Sequence, residues 1–261
     1  MRFPILPSLA SLGLSLLGIG LGACGSRTPA PAPEPLRVFA AASTAEWVGE
    51  LARSAPGEVA EPSFGATSDL ARQISEGAPA DLLVAASPVW PQRLEELGLT
   101  SGPGRVVARN RLVLATAAKG ELAGQAPADL AELLSSLGNG DQLAIAVEGV
   151  PAGDYARAAI ASLGLQASAT PRLVGMADVR AVLRAVERGE TAAGFIYASD
   201  ARAAAVEVLL AFDPALHPPI EYVAVSVAKP ERAALAEAFI ERLLSPQSRE
   251  RLIELGFEPG P

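Results

Sequence analysis

The chain has 261 residues, with 21 Lys and Arg against 29 Asp and Glu and a formal net charge of −8. That balance argues against a nucleic-acid backbone as the main ligand, because phosphate binding draws on clustered Lys and Arg and no basic stripe is present. One cysteine, Cys24, excludes an internal disulfide, and one histidine, His217, set among prolines, gives little support to a Cys/His metal cluster or a Ser-His-Asp hydrolase.

Arg2 is followed by an almost wholly apolar or small stretch that ends in Leu21-Gly22-Ala23-Cys24. A small residue directly before a cysteine resembles a bacterial lipoprotein signal, in which residues 1–23 are removed and Cys24 is acylated. The clean apolar core, residues 9–23, falls short of the ~20 residues that a membrane span needs. The following SRTPAPAPEP, within a 24–35 segment, is a Pro/Ala tether that builds no core and stays extended. Membrane association is therefore expected through lipid alone, with the folded body held outside the cytoplasmic membrane.

The body opens with a predicted strand at 36–40, then Ala41-Ala42-Ser43-Thr44, then Trp47, Val48 and Leu51 at helical spacing, with Ser43 or Thr44 as the cap. Phe64-Gly65-Ala66-Thr67-Ser68-Asp69 leads into a helix carrying Leu70 and Ile74, a turn at Gly77, a strand at 81–85 and a helix at 88–97. A loop after Gly98 reaches a strand at 112–116. Strand 143–147, helices 154–163 and 179–186, and strands 192–196, 206–210 and 221–228 follow, with terminal helices at 231–244 and 246–255. This alternation predicts α/β layering with mainly parallel sheets.

Three predicted strand ends run into small or hydroxyl residues before a helix: Ala42-Ser43-Thr44, Gly65-Ala66-Thr67-Ser68 and Val150-Pro151-Ala152-Gly153. Small side chains there leave free backbone amides at the positive end of a helix, a setting that favours an anion. Ser and Thr also cap helices for purely structural reasons, so each run alone leaves both readings open.

Taken together, these runs resemble the periplasmic molybdate-binding proteins that serve ABC importers. The resemblance is carried by Val38-Phe39-Ala40-Ala41-Ala42-Ser43, by Phe64-Gly65-Ala66-Thr67-Ser68-Asp69-Leu70 with Gly77-Ala78-Pro79-Ala80-Asp81-Leu82, and by Val150-Pro151-Ala152-Gly153-Asp154-Tyr155. Ala177-Asp178-Val179-Arg180 and Gly194-Phe195-Ile196-Tyr197-Ala198-Ser199-Asp200 complete it, over about residues 36–257.

The resemblance implies a type II periplasmic binding fold, with two α/β lobes around a ligand cleft and two crossings as the hinge. Lobe I is expected at 36–110 plus 224–261, and lobe II at 111–223. It implies oxyanion contacts from Ser43 through hydroxyl and amide, Thr67 where the family usually has serine, Ala152 and Val179 through amides, and Tyr197 through its phenol. Ser68 is a substitute donor if the turn is shifted. Molybdenum would enter only as bound molybdate, with tungstate as an equivalent ligand and no cofactor. Implied partners are a membrane permease and its ATPase subunits, with the receptor a monomer.

This chain departs from the family pattern at Ala66, where serine is common, and at Ala146-Val147-Glu148-Gly149, which lacks a Gly-Asp-Pro turn. Asp154, Arg72 and Arg180 are read as structural or rim groups, and Arg109, Asn110 and Arg111 as a polar run at the first crossing. The alternatives from other classes are a sulfate or phosphate receptor, an enzyme on the same layered fold, and a structural lipoprotein. The enzyme reading lacks a recognisable acid/base pair or nucleophile.

Overall fold

The computed structural model describes residues 34–261; the leader, Cys24 and most of the tether lie outside them. In chain order, the first part comprises β1 (Val38–Ala41), α1 (Ala45–Arg53), β2 (Ser63–Gly65), α2 (Thr67–Ser75), β3 (Leu82–Ala85), α3 (Val89–Glu96) and β4 (Arg105–Arg109). The second comprises β5 (Leu112–Ala117), α4 (Leu130–Ser136), β6 (Leu143–Ala146), α5 (Pro151–Ser162), α6 (Gln166–Ala169), β7 (Leu173–Met176), α7 (Val179–Glu187), β8 (Ala193–Tyr197), α8 (Ala198–Arg202) and β9 (Val206–Ala211). The chain then returns with β10 (Glu221–Ser226), α9 (Ala233–Leu243), α10 (Pro246–Glu254) and β11 (Glu258–Pro259).

Two sheets result, one ordered β11-β4-β10-β3-β1-β2 and the other β7-β6-β8-β5-β9. The expectation of mainly parallel sheets needs correction. β1 pairs in parallel with β2 and β3, and β6 with β7 and β8. The remaining pairs, β10 with β3 and β4, β11 with β4, and β5 with β8 and β9, are antiparallel. The parallel halves are the ones whose strands are joined by helical crossovers, and there β3 and β6 are buried along their whole length, as strands covered on both faces must be. β4, assigned to a loop from sequence, is a strand whose buried Val107 and Ala108 lie between partly exposed Arg105, Val106 and Arg109, so no clean alternation marks it.

Helix packing follows the sequence pattern closely. Along α7, Val179, Val182, Leu183 and Val186 fall on one buried face at helical spacing. The helix lies so close to β8 that a Cβ at Gly194 would sit 2.7 Å from the methyls of Val182 and Val186. Gly153 is tighter still, since a Cβ there would stand 2.1 Å from the Ala146 carbonyl oxygen, so only glycine lets α5 start hard against the end of β6.

The chain passes between the sheets at Asn110, linking β4 to β5, and between β9 and β10. Residues 221–223, placed in the second lobe by the sequence division, belong to β10 and pair within the first sheet. At the far end of β3, Asp81 is fixed by Arg232 (2.8 Å through both oxygens) and by the Arg37 amide. Burial raises its pKa, but these donors outweigh burial and hold the carboxyl below its ordinary range. Arg232 also binds the carbonyls of Glu34 and Pro35, tying the start of the body to α9. Among the described residues no helix is long and apolar enough to cross a membrane.

Candidate functional site

The carboxyl ends of the parallel strands from both sheets face one another, the position at which open α/β sheets generally bind ligands. There Ser43, Thr67, Ala152, Val179 and Tyr197 line one cavity, together with Asp178 and small residues such as Ala42, Gly65 and Ala86. Its volume, about 20 Å³, is little more than one buried water requires, so it fits a compact ligand and not a sugar or peptide. All five named residues are buried.

Each is delivered by a strand-to-helix turn. Ser43 sits in the 3₁₀ turn between β1 and α1, Thr67 is the first residue of α2, Val179 the first of α7, and Ala152 follows Pro151 at the start of α5. First-turn amides have no carbonyl within their own helix, so these turns aim free donors and helix dipoles at one point. Ser43 and Thr44 do not cap α1 as expected. Thr44 donates back to the Ala41 carbonyl (2.7 Å), and the Ser43 hydroxyl meets Tyr222 Oη at 2.9 Å.

The hydroxyls differ in how they are held. Thr67 Oγ1 accepts the Ala86 amide at 3.1 Å, which leaves its own proton free to donate. Tyr197 is only 1% exposed, yet its hydroxyl has no hydrogen-bond partner among the described residues. Burial of a hydroxyl without a partner is costly and uncommon, so this group stands out on the cavity wall. Burial, followed by the neighbouring Tyr222, pushes the Tyr197 pKa well up, so the phenol remains a neutral donor. Its ring packs edge-on against Tyr222, which packs in turn against Phe257.

Ser68, the substitute donor, does not line this cavity; it faces an adjoining groove with Asp69, Arg72 and Trp90. Ala66 precedes α2 and supplies no side-chain cap. The loop before Val150, without the Gly-Asp-Pro turn, turns at Gly149 (φ +84°) and brings Ala152 to the cavity wall. Asp154 bends away to accept the Gly149 amide at 2.9 Å, and burial raises its pKa.

Among the described residues no Lys or Arg lines the cavity. Asp178 caps α7 by accepting the Ala181 amide at 2.7 Å. Arg180 is paired with Glu46 on α1 and lies 3.0 Å from Asp200 on α8, a charge contact whose angles do not make a hydrogen bond. Burial pushes the Asp200 pKa up to about 7 against the pull of Arg180. Arg180 with Glu46, and Tyr155 donating to the Ala86 carbonyl at 3.4 Å, join elements of the two sheets beside the cavity. Among the described residues, no group of three or more His, Cys, Asp or Glu is placed to hold a metal ion.

Two polar residues here were not singled out from sequence as part of the site. Tyr222 hides in the almost continuously buried, Val-rich run of β10, and Asn110 was read only as part of the polar run at the crossing. They form a buried chain behind Ser43.

A family model described as bacterial extracellular solute-binding protein matches residues 36–258. The chain belongs to that family. It is 35% identical over 228 residues to the molybdate-binding protein ModA of Escherichia coli (strain K12), covering 85% of this chain and 88% of that protein. It is 33% identical over 257 residues to the molybdate-binding protein ModA of Haemophilus influenzae, covering 95% and 98%. The solved periplasmic molybdate-binding protein of Azotobacter vinelandii shares its fold, with a TM-score of 0.72 at 23% identity over 85% of this chain and 98% of that one. These matches support the expected two-lobe α/β binding-protein architecture.

Proposed function

We propose that this protein binds molybdate or tungstate outside the cytoplasm and delivers it to an ABC importer, without catalysis. The observation that carries the reading is the buried Tyr197 hydroxyl, without a partner among the described residues, on a cavity where the starts of α2, α5, α7 and the 3₁₀ turn before α1 converge. Molybdate at neutral pH is a fully ionised tetrahedral dianion, an acceptor on every side, and the cavity offers neutral donors. Fixed amides and hydroxyls can hold such an ion without a buried countercharge. Relatives that carry the name molybdate-binding protein, at up to 35% identity over most of the chain, support the same ligand.

In this reading Ser43 and Thr67 donate through hydroxyl and amide, Ala152 and Val179 through amides, and Tyr197 through its phenol. Lobe I comprises the first sheet and lobe II the second, hinged at Asn110 and between β9 and β10, and closure presents a distinct surface to two membrane subunits and two ATPase subunits. Cys24, once acylated, anchors the body through the tether.

Calorimetric titration with molybdate, tungstate, sulfate and phosphate tests the ligand. The two larger anions should bind with similar affinity and one-to-one stoichiometry, while sulfate leaves the donors too far apart and protonated phosphate presents a donor to donors. Sulfate binding as tight as molybdate would overturn the ligand assignment and favour a sulfate receptor on the same fold.

A further inference from the structure

Behind Ser43 runs a buried hydrogen-bond chain that reaches the interlobe crossing. Asn110 Oδ1 accepts the Arg111 amide at 2.9 Å and the Ser199 amide at 3.4 Å. Two backbone donors on one oxygen fix which way the side-chain amide faces, since the flipped amide would set N–H against N–H. Asn110 Nδ2 is therefore the atom that donates to Ser199 Oγ (2.8 Å) and to Tyr222 Oη (3.3 Å). Tyr222 is fully buried, and its only other partner among the described residues is Ser43 Oγ at 2.9 Å. Because the phenol already receives a proton from Asn110, its own proton has one acceptor in reach, Ser43 Oγ. The reverse arrangement would leave the buried Tyr222 O–H orphaned.

We infer that Tyr222 and Asn110 are positioning residues that commit the Ser43 hydroxyl to donation and so set discrimination against protonated oxyanions. This rests on the anion-receptor reading above. The direction runs from Asn110 N–H to Tyr222, from Tyr222 O–H to Ser43, and from Ser43 O–H into the cavity. Ala86 N–H plays the same part behind Thr67. Of the three hydroxyls, Tyr197 alone is left without an orienting partner among the described residues. A fully ionised anion accepts from Ser43 and Thr67 together, whereas an anion carrying a proton must turn it toward Tyr197 or leave it unpaired. Because Asn110 stands at the crossing and holds the start of α8 through Ser199, the polarity of the site depends on the hinge being in its observed geometry.

The test compares sulfate with hydrogen phosphate at about pH 8, two dianions of nearly equal size that differ by one proton. Each is measured as a competitor of molybdate. Wild type should favour sulfate over phosphate. Tyr222→Phe keeps the ring packing but frees Ser43 to rotate and accept, so the sulfate-to-phosphate ratio should fall at least tenfold while molybdate binding weakens by less. Asn110→Asp is the second variant: a carboxylate draws the Tyr222 proton to itself, Ser43 must then donate to Tyr222, and the ratio should fall in the same direction. If Tyr222→Phe does not fold, judged by its circular dichroism and thermal midpoint, Asn110→Asp carries the test. An unchanged ratio in a folded variant overturns the inference, whether or not molybdate affinity drops, because a merely structural role would lower all anions alike. Wild type that binds none of the anions would instead sink the receptor reading, and this inference falls with it.

Discussion

Tyr197 shows how far a single residue could be read in advance. As a lone aromatic at a strand end it is more often packing than ligand, and only its place in a recognisable run singled it out. The structure adds a physical reason to the reading, a phenol with no partner among the described residues at 1% exposure. Hydrogen bonds to charged groups contribute roughly 1.5–3 kcal/mol. Tyr197→Phe should therefore weaken molybdate binding about ten- to hundredfold, and it should leave stability unchanged or slightly raised, since the unsatisfied group is removed. Thr67 is a two-sided case, because its oxygen also anchors the Ala86 amide. Thr67→Ser should bind nearly normally and Thr67→Val should lose both affinity and some stability, measured by calorimetry and thermal unfolding of the same preparations. Ser68→Ala should be silent, as its side chain lines the neighbouring groove; loss of binding there with Thr67→Val unaffected would shift the donor by one residue. What sequence could not show at this scale was Tyr222 and Asn110, because their significance lies in partners at separations of 179 and 112 residues.

Most helices and strands were legible because their periodicities are unambiguous. The strand read at 81–85 and the helix read at 179–186 both form, as Leu82–Ala85 and Val179–Glu187. Direction of pairing was not legible. β5, β9 and β10 pair antiparallel because the chain returns across each sheet, a tertiary fact that leaves no mark in local composition. Short elements such as α8 also escaped, since five residues carry too little pattern. α8 nonetheless matters, for it buries Asp200 completely behind the cavity, with Tyr197 N–H donating to Oδ2 at 3.4 Å. The folded carboxyl titrates at about 7, above its ordinary 3.8, because burial outweighs Arg180. The folded chain therefore holds this proton more tightly than the unfolded one. The group's contribution to stability is complete below about pH 4 and is lost as pH rises through about 7. Asp200→Asn removes that titration, so chemical unfolding at intervals from about pH 4 to 8 should show wild type losing stability relative to the variant as pH rises. Asp81 and Glu50, whose pKa values are lowered, act in the opposite sense but are common to both proteins and cancel in the difference. Parallel curves would mean that Asp200 is ionised throughout and paired with Arg180.

At the scale of the whole molecule, the binding body and its attachment are separable pieces of chemistry. The body has its own core in residues 34–261, and the start of that body is fixed by Arg232 holding the Glu34 and Pro35 carbonyls at 3.0 and 2.8 Å. The opposite ends of β1 and β3 carry the cavity, so the point where the tether joins is remote from the donors along the strand direction. Lipid attachment should thus set location without touching affinity. Cys24→Ser should move the protein from the membrane fraction to the soluble fraction, and molybdate titration of the released body should match that of wild type solubilised in detergent. Weakened binding in the variant would reveal that the anchor orders the site. Equal membrane retention would show that Cys24 is not acylated, and the apolar stretch before it would then be an uncleaved tether, distinguishable by a mass that retains residues 1–23. An acyl chain contributes ~0.8 kcal/mol per buried methylene and a single chain gives only marginal, reversible membrane binding, so stable retention through Cys24 alone requires more than one chain, and mass spectrometry of the N-terminal peptide reads that number directly.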